Sequence, residues 1–262
     1  MTLGSTPTIP EILAEISQTF PYTFPDARTR WLAEVGASDP ITFPTSFANK
    51  QSVKVVASVA DAGGSSPHTF SAANFGIAFS DRVLIACTCL RGNGSSGMNI
   101  SAVTIGGVAA VGNDNGEFLA GGPCIGTGIF AAAVPSGTSG DVVVTWGGQS
   151  ANASGLILLS VSGISTTAFA QASQVFGGSG GTSANNTINV PSNGLLIVNS
   201  GHSNGNDTTL TGVTERTALT VGTARFEVGF DNRMSSETAR AISASWSGSA
   251  ARGFQARSYS QG

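Results

Sequence analysis

Charge is scarce in this sequence. Asp, Glu, Lys and Arg make up 10% of its 262 residues and sum to a formal −3, against about a quarter in an ordinary soluble domain. The 12 Lys and Arg are scattered without a cluster, which excludes the phosphate-neutralising surface that nucleic-acid binding needs. Long hydrophobic runs are missing too. No stretch of about 18 apolar residues occurs and no basic segment followed by an apolar one opens the chain, so neither membrane insertion nor a Sec signal is expected and synthesis is read as cytoplasmic. Three cysteines are too few for a disulfide framework. Cys87 and Cys89 sit in an apolar run and read as buried thiols. Two apart on a strand, they would face one side of a sheet and could both approach Cys124, so free thiols and a single disulfide both stay open. Three sulfurs without a fourth Cys or a nearby His do not close a zinc site.

What the chain does have is apolar residues (40%), 35 glycines and a mean hydropathy of +0.17. That balance favours a folded core under an uncharged Ser/Thr/Asn/Gly surface and argues against disorder. The first fifty residues differ from the rest. Thr8-Ile9-Pro10-Glu11 reads as a capping box. Ile9, Ile12, Leu13 and Ile16 then recur at helical spacing on one face. A second short helix is predicted over 25–35, opened by Pro25-Asp26, closed by Gly36 and carrying Trp31 and Leu32. Proline-flanked extended stretches over 20–25 and 39–44 add further aromatics, Phe43 among them, with Phe47 just beyond. Helices this short are marginal alone, so the stripe packs either on the chain's own body or on another chain. Residues 1–50 are therefore set apart as an arm, with Ile9, Ile12, Leu13, Ile16, Trp31, Leu32, Phe43 and Phe47 as its candidate docking residues.

From residue 53 onward, apolar or alternating runs of four to ten residues are separated by Gly, Asn, Asp and Ser clusters, the grammar of strands and turns. Strands are predicted near 53–60, 74–79, 82–90, 100–111, 125–134, 141–146 and 155–161. A second set follows near 165–176, 187–190, 194–200, 208–213, 223–230, 239–246 and 254–259. The two sets match. Val83-Leu84-Ile85-Ala86 parallels Leu195-Leu196-Ile197-Val198, and Asp141–Gly148 parallels Arg240–Gly248, with Trp146 and Trp246 100 positions apart. The expected fold is an all-β, antiparallel, jelly-roll-like β-sandwich, internally duplicated over 51–262 with halves of about 51–163 and 164–262, preceded by the short helical and extended arm. The halves form one sandwich or two abutting ones, with Trp146 and Trp246 in equivalent core places.

No motif carries chemistry. His68 and His202 lie in polar turns without a nucleophile beside them, and no nucleophile elbow, His-Glu-x-x-His or phosphate-binding loop occurs. Asn113-Asp114-Asn115-Gly116-Glu117 and Asn204-Gly205-Asn206-Asp207 offer oxygens to a calcium ion, but their residue types are those of hairpin turns. No catalytic residue, cofactor or metal site is assigned, and the chain is read as a non-enzyme.

Residues 1–16, 24–32 and 40–50 resemble the N-terminal segments of tailed-bacteriophage minor structural proteins. Residues 101–110 and 133–146, ending in Val142-Val143-Val144-Thr145-Trp146, are similar to a β-sandwich module of phage virion proteins. The resemblance implies a virion structural protein of the tail-fibre, collar or head-decoration type, with the arm docked on other virion proteins and the sandwich projecting. Homo-oligomers are expected because self-association would bury more of the apolar surface, the charge balance leaves no nucleic-acid partner, and the alternative function, from another class, is a carbohydrate-binding adhesin module that binds a host surface glycan. A polysaccharide depolymerase is the least favoured class, because no carboxylate pair stands out.

Overall fold

The computed structural model describes residues 53–94, 97–118, 122–174, 176 and 180–262, together with Thr8, Glu11, Ile12, Leu32 and Ala33. Of the arm, the capping box is formed. The Thr8 backbone N–H donates to Glu11 Oε2 (2.6 Å), the Thr8 hydroxyl donates to the same oxygen (2.8 Å) and the Glu11 N–H returns to Thr8 Oγ1 (3.4 Å). Those bonds to Thr8 hold the Glu11 carboxyl below its ordinary pKa. Glu11, Ile12, Leu32 and Ala33 are helical, and Ile12, Leu32 and Ala33 are buried. Ile9, Leu13, Ile16, Trp31, Phe43 and Phe47 lie outside the described residues.

The rest is strand. The first copy comprises β1 (Val53–Asp61), β2 (His68–Asn74), β3 (Arg82–Gly94), β4 (Asn99–Ile105), β5 (Val108–Ala109), β6 (Val111–Phe118), β7 (Gly122–Ala133), β8 (Ser139–Gly147) and β9 (Ala151–Ser162). The second comprises β10 (Ala170–Ser173), β11 (Gly181–Val190), β12 (Gly194–His202), β13 (Thr208–Thr211), β14 (Glu215–Val221), β15 (Ala224–Met234), β16 (Glu237–Ala250) and β17 (Arg252–Tyr259). The five-stranded sheets run β1-β9-β3-β7-β6 and β10-β17-β12-β15-β14, the smaller ones β2-β8-β4-β5 and β11-β16-β13. With β1 to β4 equated to β10 to β13 and β6 to β9 equated to β14 to β17, the two topologies coincide apart from β5, which has no counterpart among the described residues. Successive strands alternate between the sheets of each sandwich except at the hairpins β4-β5, β6-β7 and β14-β15, and all pairings are antiparallel, giving jelly-roll order.

The chain after β4 departs from a simple jelly roll. After β4, Gly106 and Gly107, both at positive φ (59° and 80°), make the two-residue turn that pairs Ile105 with Val108; left-handed φ at both turn positions is what such a hairpin requires. The chain stays two residues in the small sheet as β5 and then crosses to the large sheet as β6. Residues 113–117, which read as a turn, are therefore strand. The sequence pattern missed the equivalent β14 as well, and it placed a strand at 74–79 where the observed one is β2.

Each sandwich has its own core. Leu84, Ala86, Ile100, Val103, Phe130, Val142, Val144, Trp146, Leu156 and Leu158 fill the first, and Ile188, Leu196, Val198, Leu210, Ile242, Trp246 and Phe254 the second. A third core lies between them. Val83, Ile85, Cys87, Cys89, Ile125, Ile129, Ile157 and Leu159 of the first large sheet pack on Leu195, Ile197, Val221, Phe226, Val228, Phe230 and Tyr259 of the second. The molecule is thus four β-layers, small-large-large-small, in which the inner two sheets are covered on both faces. Residues 82–90 of β3 are buried without a break, which explains their continuous apolar run.

The seam between the large sheets has approximate two-fold symmetry. Register makes Val83, Ile85, Cys87 and Cys89 of β3 the counterparts of Leu195, Ile197, Asn199 and Gly201 of β12, and Gly155, Ile157, Leu159 and Val161 of β9 the counterparts of Gly253, Gln255, Arg257 and Tyr259 of β17. Gly155 lies under β14 of the other sandwich, where a Cβ would meet Val221 Cγ2 at 2.5 Å. Gly253 lies under β6 and β7, where it would meet Thr127 Oγ1 at 2.5 Å and the Asn115 carbonyl at 3.1 Å. The same bare position in both copies lets the sheets approach.

Candidate functional site

The ionisable and polar side chains that the sequence singled out are spread among structural tasks. His68 opens β2, with Nε2 3.3 Å from Asp61 Oδ2 and its ring edge-on to Phe70 at 4.8 Å. His202 belongs to the other sandwich and ends β12 instead of standing in a turn. It is fully buried and lies flat on Trp246, with ring centroids 5.0 Å apart and planes 4° apart. Its Nδ1 pairs with Asn204 Oδ1 at 2.5 Å and its Nε2 with Thr208 Oγ1 at 2.8 Å. Desolvation lowers its pKa to about 4, so the ring is neutral near pH 7. Asn204 Nδ2 continues the chain of bonds to the Ser247 carbonyl (2.7 Å), and Asn206 Nδ2 donates to the same oxygen (2.7 Å). This network ties the 203–207 turn to the end of β16.

Trp146 and Trp246 occupy equivalent core places, as their spacing predicted. The Trp146 indole N–H donates to the Gln149 carbonyl (2.9 Å) and that of Trp246 to the Gly181 carbonyl (2.8 Å). In the first sandwich Leu90 stands where the second has His202.

The first calcium candidate dissolves into the seam. Asp114 Oδ2 accepts from the Ile100 N–H (2.9 Å) and, partly desolvated, has a raised pKa. Asn115 donates to the Gln174 carbonyl (2.9 Å) and accepts from the Phe254 N–H (3.1 Å). Glu117, almost wholly buried, forms an ion pair with Arg252 at 3.1 Å. Asp114 thus stays within the first sandwich, whereas Asn115 and Glu117 join the two. From the other side Asn199 Nδ2 donates to the Gly128 carbonyl (2.9 Å), and Arg257 Nη1 to the Val111 (3.0 Å) and Ile129 (3.2 Å) carbonyls. Among the described residues no group of three or more His, Cys, Asp or Glu could hold a metal ion, and no helix is long and apolar enough to cross a membrane.

The three cysteines are free. Cys87 and Cys89 face the seam, whereas Cys124 faces the core of the first sandwich. The opposite faces of one sheet separate them, which settles the question the sequence left open. Desolvation raises all three thiol pKa values, that of Cys89 to about 12.

One residue with a large structural role escaped the sequence reading. Arg82 is fully buried at the start of β3 and donates to six carbonyl oxygens: Val134 (2.7 Å), Phe75 (3.3 Å), Gly76 (3.2 Å), Ile77 (3.1 Å), Ser136 (2.8 Å) and Gly137 (2.7 Å). The guanidinium pins the 75–77 and 134–137 connections together, and its only sequence signal is an Arg directly preceding an apolar run.

The surface offers shallow, open features. The outer face of β11-β16-β13 carries Asn185, Thr187, Thr209, Thr211, Ser243 and Ser245, with depressions along it and a hydroxyl pair, Thr211 and Ser243, at 2.6 Å. Its chemistry is that of hydroxyls and amides, with the exposed Asp207 carboxylate at one end. Comparison of the chain with protein families, with curated proteins and with solved structures finds no match.

Proposed function

We propose that the chain is a non-enzymatic structural protein of a tailed-phage virion, a tail, collar or capsid appendage whose N-terminal arm anchors a projecting double sandwich. The observation that carries this reading is how the polar groups are spent. His202, the Asn115 and Asn199 amides, Arg82, Arg252, Arg257 and Glu117 hold strands or sandwiches together, as suits a part that must keep its shape outside the cell. The resemblance of residues 1–50 and of the sandwich segments to virion proteins supplies the location. Deletion of residues 1–50 tests the anchor. The truncated chain, once shown by circular dichroism to keep its strands, is expected to be missing from purified particles. Incorporation at normal copy number refutes the assignment.

A second reading, a glycan-binding adhesin module, is favoured by the hydroxyl and amide face of β11-β16-β13. A glycan array decides it: selective retention of neutral glycans supports it, and signal at background on every glycan dismisses it.

A further inference from the structure

The two copies put different side chains in one fold position. Register equates Leu90 of β3 with His202 of β12, and Leu90 shares a core with Trp146 as His202 does with Trp246. A leucine therefore suffices for the packing. An imidazole in its place is buried only because hydrogen bonds satisfy both of its nitrogens.

Those bonds tie down one turn. Asn204 Nδ2 donates to the Ser247 and Gly248 carbonyls (2.7 and 3.3 Å), which leaves Asn204 Oδ1 as the acceptor of the Nδ1 proton. Nε2 of the neutral ring is then an acceptor, and the Thr208 hydroxyl donates to it. The turn held in this way shapes the surface. Its Asn206 and Asp207 line an open depression together with Thr209, Ser245, Trp246 and Ser247.

The charges around the ring are already matched. In register with His202 stand Arg225 of β15 and Arg252 of β17. Arg225 pairs with Glu227 of its own strand (3.2 Å) and with Asp207 of the turn (3.5 Å), and Arg252 pairs with Glu117 of β6 (3.1 Å). From β16 come Trp246 and Ser247 and from β13 Thr208, none of them charged. A second proton on the ring thus makes a buried cation flanked by two arginines. Water lies on the far side of the 203–207 turn, where Gly205, Asn206 and Asp207 are exposed.

We propose that His202 is an acid-sensitive latch: protonation of its second ring nitrogen releases the 203–207 turn and opens the depression beside Trp246 while the sandwich stays folded. Desolvation holds the ring at a pKa of about 4 when the turn is closed, against 6.5 when it is hydrated. The opening equilibrium therefore rises about tenfold per pH unit below 6.5 and reaches on the order of a hundredfold by pH 4.

Native-state amide exchange of the full chain, followed by NMR at pH 7 and 4.5 and corrected for the intrinsic pH dependence of exchange, tests the latch. The reporters are Ser203, whose N–H donates to the Ala251 carbonyl (3.0 Å), and Asn206, whose N–H donates to Asn204 Oδ1 (3.3 Å). Their protection is expected to fall by roughly fifty- to a hundredfold, while Ile197 and Val198 of β12 stay the better protected. His202→Leu, which installs the residue of the first copy, and His202→Gln, which bonds without titrating, are expected to abolish the fall. Protection of the turn that is indifferent to pH, or a fall that persists in either variant, overturns the proposal. So does a His202 ring that titrates while the turn keeps its protection, or a turn that exchanges only together with Ile197 and Val198.

Discussion

The four-layer arrangement stands or falls with the close approach of the two large sheets, and Gly155 is the position where that approach can be measured. Replacement by Ala puts a Cβ 2.5 Å from Val221 Cγ2, 3.3 Å from Leu219 Cδ2 and 3.5 Å from Phe226 Cδ1. Carbon atoms rest at about 3.5–4.0 Å, so the overlap with Val221 is on the order of 1 Å. Overpacking of this kind costs about 1–3 kcal/mol. The loss of unfolded-chain freedom on replacing Gly by Ala returns about 0.4–1 kcal/mol, leaving a net destabilisation of about 1–2 kcal/mol. For a chain of this size that is roughly 2–8 °C in Tm. The control is Gly147→Ala, where a Cβ meets nothing within 4 Å and only the entropic gain of up to about 1 kcal/mol remains. Urea unfolding followed by the fluorescence of the buried Trp146 and Trp246 reads both variants. Val221→Ala removes the atoms that Gly155→Ala strikes, so the double variant is expected to be more stable than the sum of the singles by about 1 kcal/mol or more. If Gly155→Ala is as harmless as Gly147→Ala, or simply additive with Val221→Ala, the face-to-face packing of β9 and β14 is refuted.

Arg82→Met leaves six carbonyl oxygens without their donor, and since a buried acceptor left unsatisfied costs about 1–3 kcal/mol, a loss of about 3 kcal/mol or more is expected; a change below about 1 kcal/mol in urea unfolding contradicts the carbonyl cage. His202 makes stability depend on acid. Its folded pKa of about 4 lies below the ordinary 6.5, so the unfolded chain takes up the proton first, and stability is full above pH 6.5 and falls as the pH drops toward 4. The loss is about 3 kcal/mol, and it is expected to vanish in His202→Leu, which installs the leucine of the first copy. Ala72 and Ala239 hold left-handed φ of 52° and 53°, which costs a non-glycine residue about 1–2 kcal/mol. Ala72→Gly is therefore expected to raise stability, by up to about 1 kcal/mol after the added unfolded-state freedom; a drop in Tm counters the strain argument.

Much of this was legible in the residues. The central strands β3, β7, β9 and β12 announced themselves as apolar runs because both their faces are covered, and the Trp146/Trp246 spacing revealed the duplication. The capping box at Thr8 and Glu11 was readable because its bonds are local, three residues apart. β6 and β14 were not. Val111-Gly112-Asn113-Asp114-Asn115-Gly116-Glu117 has the composition of a turn, and it is a strand because its amides and carboxylates bond to β17 and its neighbours, more than a hundred residues away.

Local residue types thus determined that this chain is all-β and written twice. Only the tertiary structure decided that the copies stack through their large sheets, that the Cys124 thiol points away from Cys87 and Cys89, and that His202, Arg82 and Arg257 serve as fastenings. The reason is that hydrophobic period is a property of neighbours along the chain. The pairing of one sheet with another depends on which bare glycines and which buried donors face each other across a seam that the chain visits in distant segments.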